Sequence, residues 1–268
     1  MVYVYVSFRC AEILKNTNHQ TTKVSILIDN TSPRAHHCHE LAESLHLPVI
    51  EAMEAGSDMV LVFDESGLAL HDAYTPRVQP LRIDFSAQDL RPFGPNLNRR
   101  QPLARAIGKK NRTVIDGTAG MGQDAFLLAA MGYEVTAIER SSVLGALLMD
   151  AIERAENDIR LARALGGRMR VMVSDARHII PTLVSADAVY LDPMFPPKRS
   201  KSALPKREMM VLRKLVGEDP DAEQLFTVAR EHARNRVIVK RPHYAPPLAA
   251  APDFSQSGKL VRYDVYMC

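Results

Sequence analysis

The sequence predicts an α/β protein: a doubly wound, mostly parallel sheet, preceded by a small α+β domain. Three observations carry this. From about residue 100 onward, short β-branched runs alternate with helix-length stretches. The runs are apolar along their whole length, as strands covered on both faces are. Acids and glycines gather just after the runs, at the strand ends where doubly wound sheets bind ligands.

The strand candidates of this region are 113–116, 134–139, 170–174, 188–192, 236–240 and 259–267. Helical stretches lie between or beside them at about 102–109, 122–131, 141–165, 176–183, 205–216 and 221–234. The proline-rich stretch 242–252 reads as loop. Upstream, 24–29, 57–64, 68–73 and 81–85 are short strand-like runs, with Glu65-Ser66-Gly67 as a hairpin turn and 33–46 as a helix. The expected partition is an extension over 1–23 with no assigned role, a small α+β domain over 24–95 and the sheet domain over 96–268.

A chain of 268 residues with 46% apolar and 24% charged residues is long enough for a substantial core. It holds no run of the roughly 18 apolar residues that a membrane span requires. The first residues lack a secretory pattern, so a cytoplasmic protein is expected. Cys10, Cys38 and Cys268 form no CxxC pair and suggest neither a disulfide framework nor a zinc site. His36, His37, Cys38 and His39 are consecutive on a helix and point in different directions, so a polar helix surface is expected and no metal.

A net charge of +3 conceals segregation. Segments 91–112, 197–214 and 230–241 together carry +17, and the rest of the chain carries −14. Clustered cations with few acids are the electrostatic footprint of a polyanion partner, provided that they meet on one face.

The chemistry concentrates at four turns. Asp116 ends a strand, and Gly117, Gly120 and Gly122 open the next helix. Glycines let a ligand approach the backbone, and a helix start presents free N–H groups. The DxxxGxG spacing is not the dinucleotide fingerprint, and an acid there repels a pyrophosphate while suiting an ammonium. S-adenosylmethionine (SAM), with an ammonium and a sulfonium, is such a ligand. Glu139 ends the second strand, where a carboxylate accepts from both ribose hydroxyls. Ser174 and Asp175 follow the third strand, where an acid accepts from an adenine amine. Asp192-Pro193-Met194-Phe195 follows the fourth. The lone pair of an amine on a base is delocalised into the ring, and acceptors for its N–H groups orient that lone pair toward a methyl donor. Asp192 and the Pro193 carbonyl supply acceptors, and Phe195 supplies a ring on which a flipped base stacks.

With these residues in place, the chain resembles the class I SAM-dependent methyltransferases over roughly 100–268, and more narrowly the family of ribosomal RNA small subunit methyltransferase J. The matching strings are DGTAGMGQDAF, AIERSSVLGALLMDAIERA, VYLDPMFPPKRSKSALPKREMMVLRKLVG and VIVKRPHYAPPLA. The resemblance implies a Rossmann-like doubly wound sheet with one antiparallel C-terminal strand, and methylation of the exocyclic N2 amine of a guanine in 16S ribosomal RNA. It implies SAM contacts from Gln123 and Asp124, Glu139 and Arg140, Ser174 and Asp175, and Asp192. It assigns RNA phosphates to Lys198, Arg199, Lys201, Lys206 and Arg207 after the DPMF loop, to Lys240 and Arg241 at the end of the fifth strand, and to Arg99, Arg100 and Arg105 before the glycine loop. The expected partner is 16S rRNA or the small ribosomal subunit. Alternatives are the same chemistry on a DNA adenine or cytosine amine, a non-catalytic RNA-binding assembly factor on the same fold, and a nicotinamide oxidoreductase, which Asp116 and the missing GxGxxG disfavour.

Overall fold

The computed structural model describes residues 22–29, 31, 34–53, 56–75, 78–91, 94, 96–194, 207–217 and 219–268. They fall into two compact units, one from the described parts of Met1–Ile83 and Lys201–Gly217, the other from those of Asp84–Ser200 and Glu218–Cys268.

The first unit holds β1 (Val24–Leu27), α1 (Ala35–Leu45), β2 (Val49–Ile50), β3 (Met59–Asp64) and β4 (Gly67–Asp72). Its sheet has the order β2-β1-β3-β4. β1 runs parallel to both β2 and β3. β3 and β4 form the hairpin that the Glu65-Ser66-Gly67 turn predicts, with Asp64 paired to Gly67. Buried Ile26, Met59, Leu61, Leu68 and Leu70 make its core. The expected strand at 81–85 is reduced to one bridge, Leu81 to Leu70. Ile83 and Phe85 are buried all the same. On α1 His36 pairs with Glu40, the His37 ring stands edge-on to Phe63, and Cys38 is buried.

The second unit continues with α2 (Pro102–Ile107), β5 (Thr113–Asp116), α3 (Gln123–Ala130), β6 (Glu134–Glu139), α4 (Ser142–Asn157), α5 (Ile159–Leu165), β7 (Met169–Val173), α6 (Ala176–Ile179) and β8 (Ala188–Leu191). After α7 (Arg207–Val216), which belongs to the first unit, come α8 (Ala222–His232), β9 (Arg236–Pro242), β10 (Phe254–Ser257) and β11 (Val261–Met267). The predicted 141–165 helix is broken because Asp158 turns out of it and caps α5, its carboxylate accepting from the Leu161 N–H. β9 runs two residues beyond its expected end because β11 pairs with it as far as Pro242. β10 escapes the sequence reading because it is a polar, largely exposed edge strand.

The sheet order is β10-β11-β9-β8-β5-β6-β7. β9, β8, β5, β6 and β7 are mutually parallel. β11 lies antiparallel to β9 and β10 antiparallel to β11, so β11 alone in this sheet runs against the others. Strand order reverses between β5 and β8, which makes their carboxyl ends the topological switch point where ligands bind.

Side-chain alternation then decides what faces what. Ile115, Val189, Leu191, Val237 and Val239 pack with residues of α6 and α8 on one face. Asp116, Tyr190 and Lys240 have the opposite parity and point toward α3. Gly122, with φ +71°, turns the chain into α3, and a Cβ there would lie 2.4 Å from the buried Leu148 Cδ1. Among the described residues no helix is long and apolar enough to cross a membrane.

Candidate active site

Parity and register bring three of the expected acids together. Asp116 ends β5 and is 1% exposed. Its Oδ1 accepts from the Thr118 N–H at 3.0 Å, and the Thr118 hydroxyl accepts from the Asp192 N–H at 2.6 Å. One threonine thus ties the glycine turn to the loop after β8. Asp124, in the first turn of α3, points back to the same place. Leu191 pairs with Val239, so Lys240 arrives level with Asp192. Its ammonium donates to Asp124 Oδ2 at 2.8 Å and lies 2.9 Å from Asp192 Oδ2. The Tyr190 hydroxyl donates to the same Asp124 oxygen.

Three carboxyls this close cannot all be ionised without a cation. Burial pushes Asp116 up to about 8, with Asp124 and Asp192 adding to the effect and the Thr118 N–H and Lys240 opposing it. Burial also disfavours the Lys240 ammonium, yet Asp192 and Asp124 outweigh it and hold the group above the ordinary lysine range. Burial raises Tyr190 well above its usual value, and Asp124 reinforces this, so Tyr190 acts as a donor.

Beside this cluster Glu139 is buried, with Oε2 accepting from the Gly120 N–H at 2.8 Å and Oε1 from the Ser141 N–H at 2.7 Å. Burial raises its carboxyl above the usual value, and these two N–H groups work against that. The Ser174 N–H donates to the Glu139 carbonyl. A second ionic ladder runs from here to the DPM loop. Asp175 caps α6 and holds the Arg177 guanidinium; Arg177 reaches Asp221 at 3.1 Å; Asp221 and Asp219 both hold Arg140; and Asp219 Oδ2 accepts from the Met194 N–H at 2.6 Å. Arg140 and Asp175 therefore stand at the expected strand ends with their charges directed into this ladder. Gln123 begins α3 with its Oε1 accepting from Gln88.

Several expected RNA contacts need correction. Lys240 is the counterion of Asp124 and Asp192 and is not a surface cation. Arg241 is 3% exposed, and its Nε and Nη2 donate to the Pro246 carbonyl. Arg99 is anchored at the far end of α3 from the glycine turn, donating to the Met131 carbonyl at 2.7 Å with its guanidinium over the Tyr133 ring. Arg100 is exposed next to it. Phe195, Lys198, Arg199, Lys201 and Lys206 lie outside the described residues, and Arg207 is described only as the first residue of α7. Thr118, Tyr190, Arg177, Asp219 and Asp221 were not anticipated. The strand parity of Tyr190 and the acid pair just before α8 are the signals that mark them.

An acid, a glycine turn and two further strand-end acids thus gather at the carboxyl ends of the strands around the switch point. Residues 40–268 match the family described as "Putative SAM-dependent methyltransferase". Ribosomal RNA small subunit methyltransferase J of Thioalkalivibrio sulfidiphilus is 42% identical over 235 residues, 85% of this chain and 91% of that protein. The Coxiella burnetii protein of the same name is 39% identical over 246 residues, 89% of this chain and 94% of its own length. The crystal structure of a SAM-dependent methyltransferase from Neisseria gonorrhoeae superimposes with a TM-score of 0.69 at 30% identity, covering 91% of this chain and 95% of that one. The chain belongs to the ribosomal RNA small subunit methyltransferase J family, and its cofactor is SAM.

Replacing Lys240 with Met leaves Asp124 and Asp192 facing each other without a cation. The unfolding free energy is expected to fall by about 2–4 kcal/mol. The loss should be larger at pH 8 than at pH 5, because acids raised in the native state bind protons more tightly there than in the unfolded chain, so stability drains as pH rises. Denaturant unfolding at the two pH values checks this, and a pH-independent loss would contradict it.

Proposed function

We propose that the chain methylates the exocyclic N2 amine of a guanosine in 16S ribosomal RNA, in the bacterial cytoplasm. The observation that carries this reading is the state of Asp192: Oδ2 is held by Lys240, while Oδ1 has no partner among the described residues, beside the Pro193 carbonyl at the switch point. That is an acceptor pair suited to the two hydrogens of a base amine. The family's named substrate, small-subunit ribosomal RNA, supplies the base.

The donor set fits SAM. Asp116 is a buried carboxyl at the glycine turn, matched to an ammonium. Each Glu139 oxygen already accepts one backbone N–H and retains a second lone pair for a ribose hydroxyl. A Cβ at Gly120 would meet nothing closer than the Thr118 carbonyl at 3.8 Å, so the turn is open on that side. In this reading Asp116, Gly117, Gly120, Gly122, Gln123 and Asp124 form the methionine end of the site, Glu139 and Arg140 the ribose end, and Ser174 and Asp175 the adenine end. Bound SAM supplies an electrophilic methyl on a sulfonium.

The chain's own residues do the rest. Burial raises the Asp192 carboxyl and the Lys240 ammonium works against that rise, which favours Asp192 as an acceptor from the amine. Asp192 and the Pro193 carbonyl then aim the nitrogen lone pair, and Phe195 stacks the flipped base. Asp192 or water would take the proton that the amine loses on methylation.

Labelled SAM incubated with small ribosomal subunits, naked 16S rRNA or DNA should label RNA, with N2-methylguanosine recovered after digestion. Asp192→Asn should lower kcat by about 10²–10³. Label on DNA alone would sink the rRNA assignment, and no label on any substrate would favour a binding protein on the same fold. Asp116 gives an independent readout. It is mostly protonated at pH 7 in the free protein, and an ammonium beside it draws its pKa down, so binding should release up to one proton. Calorimetry of SAM binding in buffers of different ionisation enthalpy should show that release in the wild type and none in Asp116→Asn; equal values would contradict the role.

A further inference from the structure

The carboxyl edge of the sheet, where the site lies, is acidic among the described residues: Asp116, Asp124, Asp192, Glu139, Asp219 and Asp221 outnumber Lys240, Arg140 and Arg177. Other cations of the basic segments 91–112 and 230–241 lie at the opposite edge. Residues 105–112 lead from α2 into the start of β5, and residues 234–236 lead into the start of β9, so both lie at the amino edge. Side chains stitch them together. Asn235 donates to Asn111 Oδ1 at 2.8 Å, and Arg236 donates to the Ala106 carbonyl at 3.2 Å. Asp187, just before β8, accepts from the Arg112 N–H at 2.7 Å and lies 3.7 Å from Arg234 Nη1.

The result is one surface bearing Arg105, Lys109, Lys110, Arg112 and Arg234, all exposed. Glu134, the first residue of β6, and Glu231, near the end of α8, are exposed acids. Asp187 is occupied by two backbone N–H groups besides Arg234, so it does little to cancel the lysines. Lys109 and Lys110 make no ion pair among the described residues. Exposed, uncommitted ammonium and guanidinium groups of this kind suit phosphate oxygens.

We propose that this amino edge is a second RNA-docking surface, which takes the phosphates of an rRNA segment other than the one entering the catalytic pocket. The two edges point in opposite directions along the strands. A short hairpin seated at one cannot lie on the other, whereas a long folded RNA can reach both. The inference rests on the rRNA reading above and narrows its substrate to a large, structured RNA.

The test is a variant carrying Arg105→Glu, Lys109→Glu and Lys110→Glu, none of them in the proposed catalytic or cofactor site. For full-length 16S rRNA its affinity should fall at least tenfold, and the slope of log K against log salt should shrink by about 2–3, on the scale of 0.7–0.9 per phosphate contact. KM for methyl transfer to that RNA should rise, with kcat and SAM affinity unchanged. Replacing the same three residues with Gln should give a smaller loss of the same kind. A variant that binds and methylates 16S rRNA like the wild type overturns the proposal while leaving the rRNA reading intact. Parallel loss of SAM affinity in both variants also overturns it, because the effect would then not be confined to the surface. Wild-type protein that transfers no methyl to 16S rRNA defeats the underlying reading, and this inference with it.

Discussion

The site depends on one ammonium. A doubly wound sheet brings the ends of β5, β8 and β9 side by side, and here two of those ends and the first turn of α3 carry acids. Asp116, Asp124 and Asp192 would repel one another in a cleft with little solvent. Lys240 resolves this from the neighbouring strand, reaching two of the three carboxylates within 2.9 Å. The third, Asp116, is left to be raised by burial. Burial raises Asp192 as well, and the Lys240 ammonium opposes that rise. The same lysine organises the core side of the pocket, where Tyr190 donates to the Asp124 oxygen that Lys240 holds.

Around this cation the loop after β8 is held from two sides. Thr118 takes the Asp192 N–H, and Asp219 takes the Met194 N–H, at 2.6 Å each. Asp219 is in turn fixed through Arg140, Asp221 and Arg177 to the end of β7. The loop thus inherits its position from three strands, although Met194 stands where a second proline would stiffen it. Such preorganisation is what an acceptor pair needs if it is to orient an amine without moving during the reaction.

Much of this was legible in the sequence. Apolar runs and their spacing located β5, β6, β8 and α3 to within about a residue, and the acids expected at strand ends stand at those ends. What was not legible depends on partners distant in sequence. Lys240 and Arg241 looked like RNA contacts because a charge count along the chain does not see that β9 carries them to Asp124, Asp192 and the Pro246 carbonyl. Arg99 looked close to the glycine turn because it precedes it in sequence, yet it sits at the other end of α3. The parity of Lys240 and Tyr190 in their strands was available and would have placed both on the α3 face. β10 and the break at Asp158 give no apolar signal, since one is a polar edge strand and the other a cap. Charge segregation along the chain remains real, and among the described residues of 91–112 and 230–241 it divides between the two edges of the sheet.

The central claim is that Lys240 acts by neutralising the two acids. Comparing the unfolding midpoint of Lys240→Met with that of a triple variant, Lys240→Met with Asp124→Asn and Asp192→Asn, tests this directly. If the lysine is a counterion, removing the charges it balances should recover most of the stability lost in the single variant, even though the triple variant is inactive. Losses that instead accumulate, with the triple variant less stable than Lys240→Met, would contradict the account.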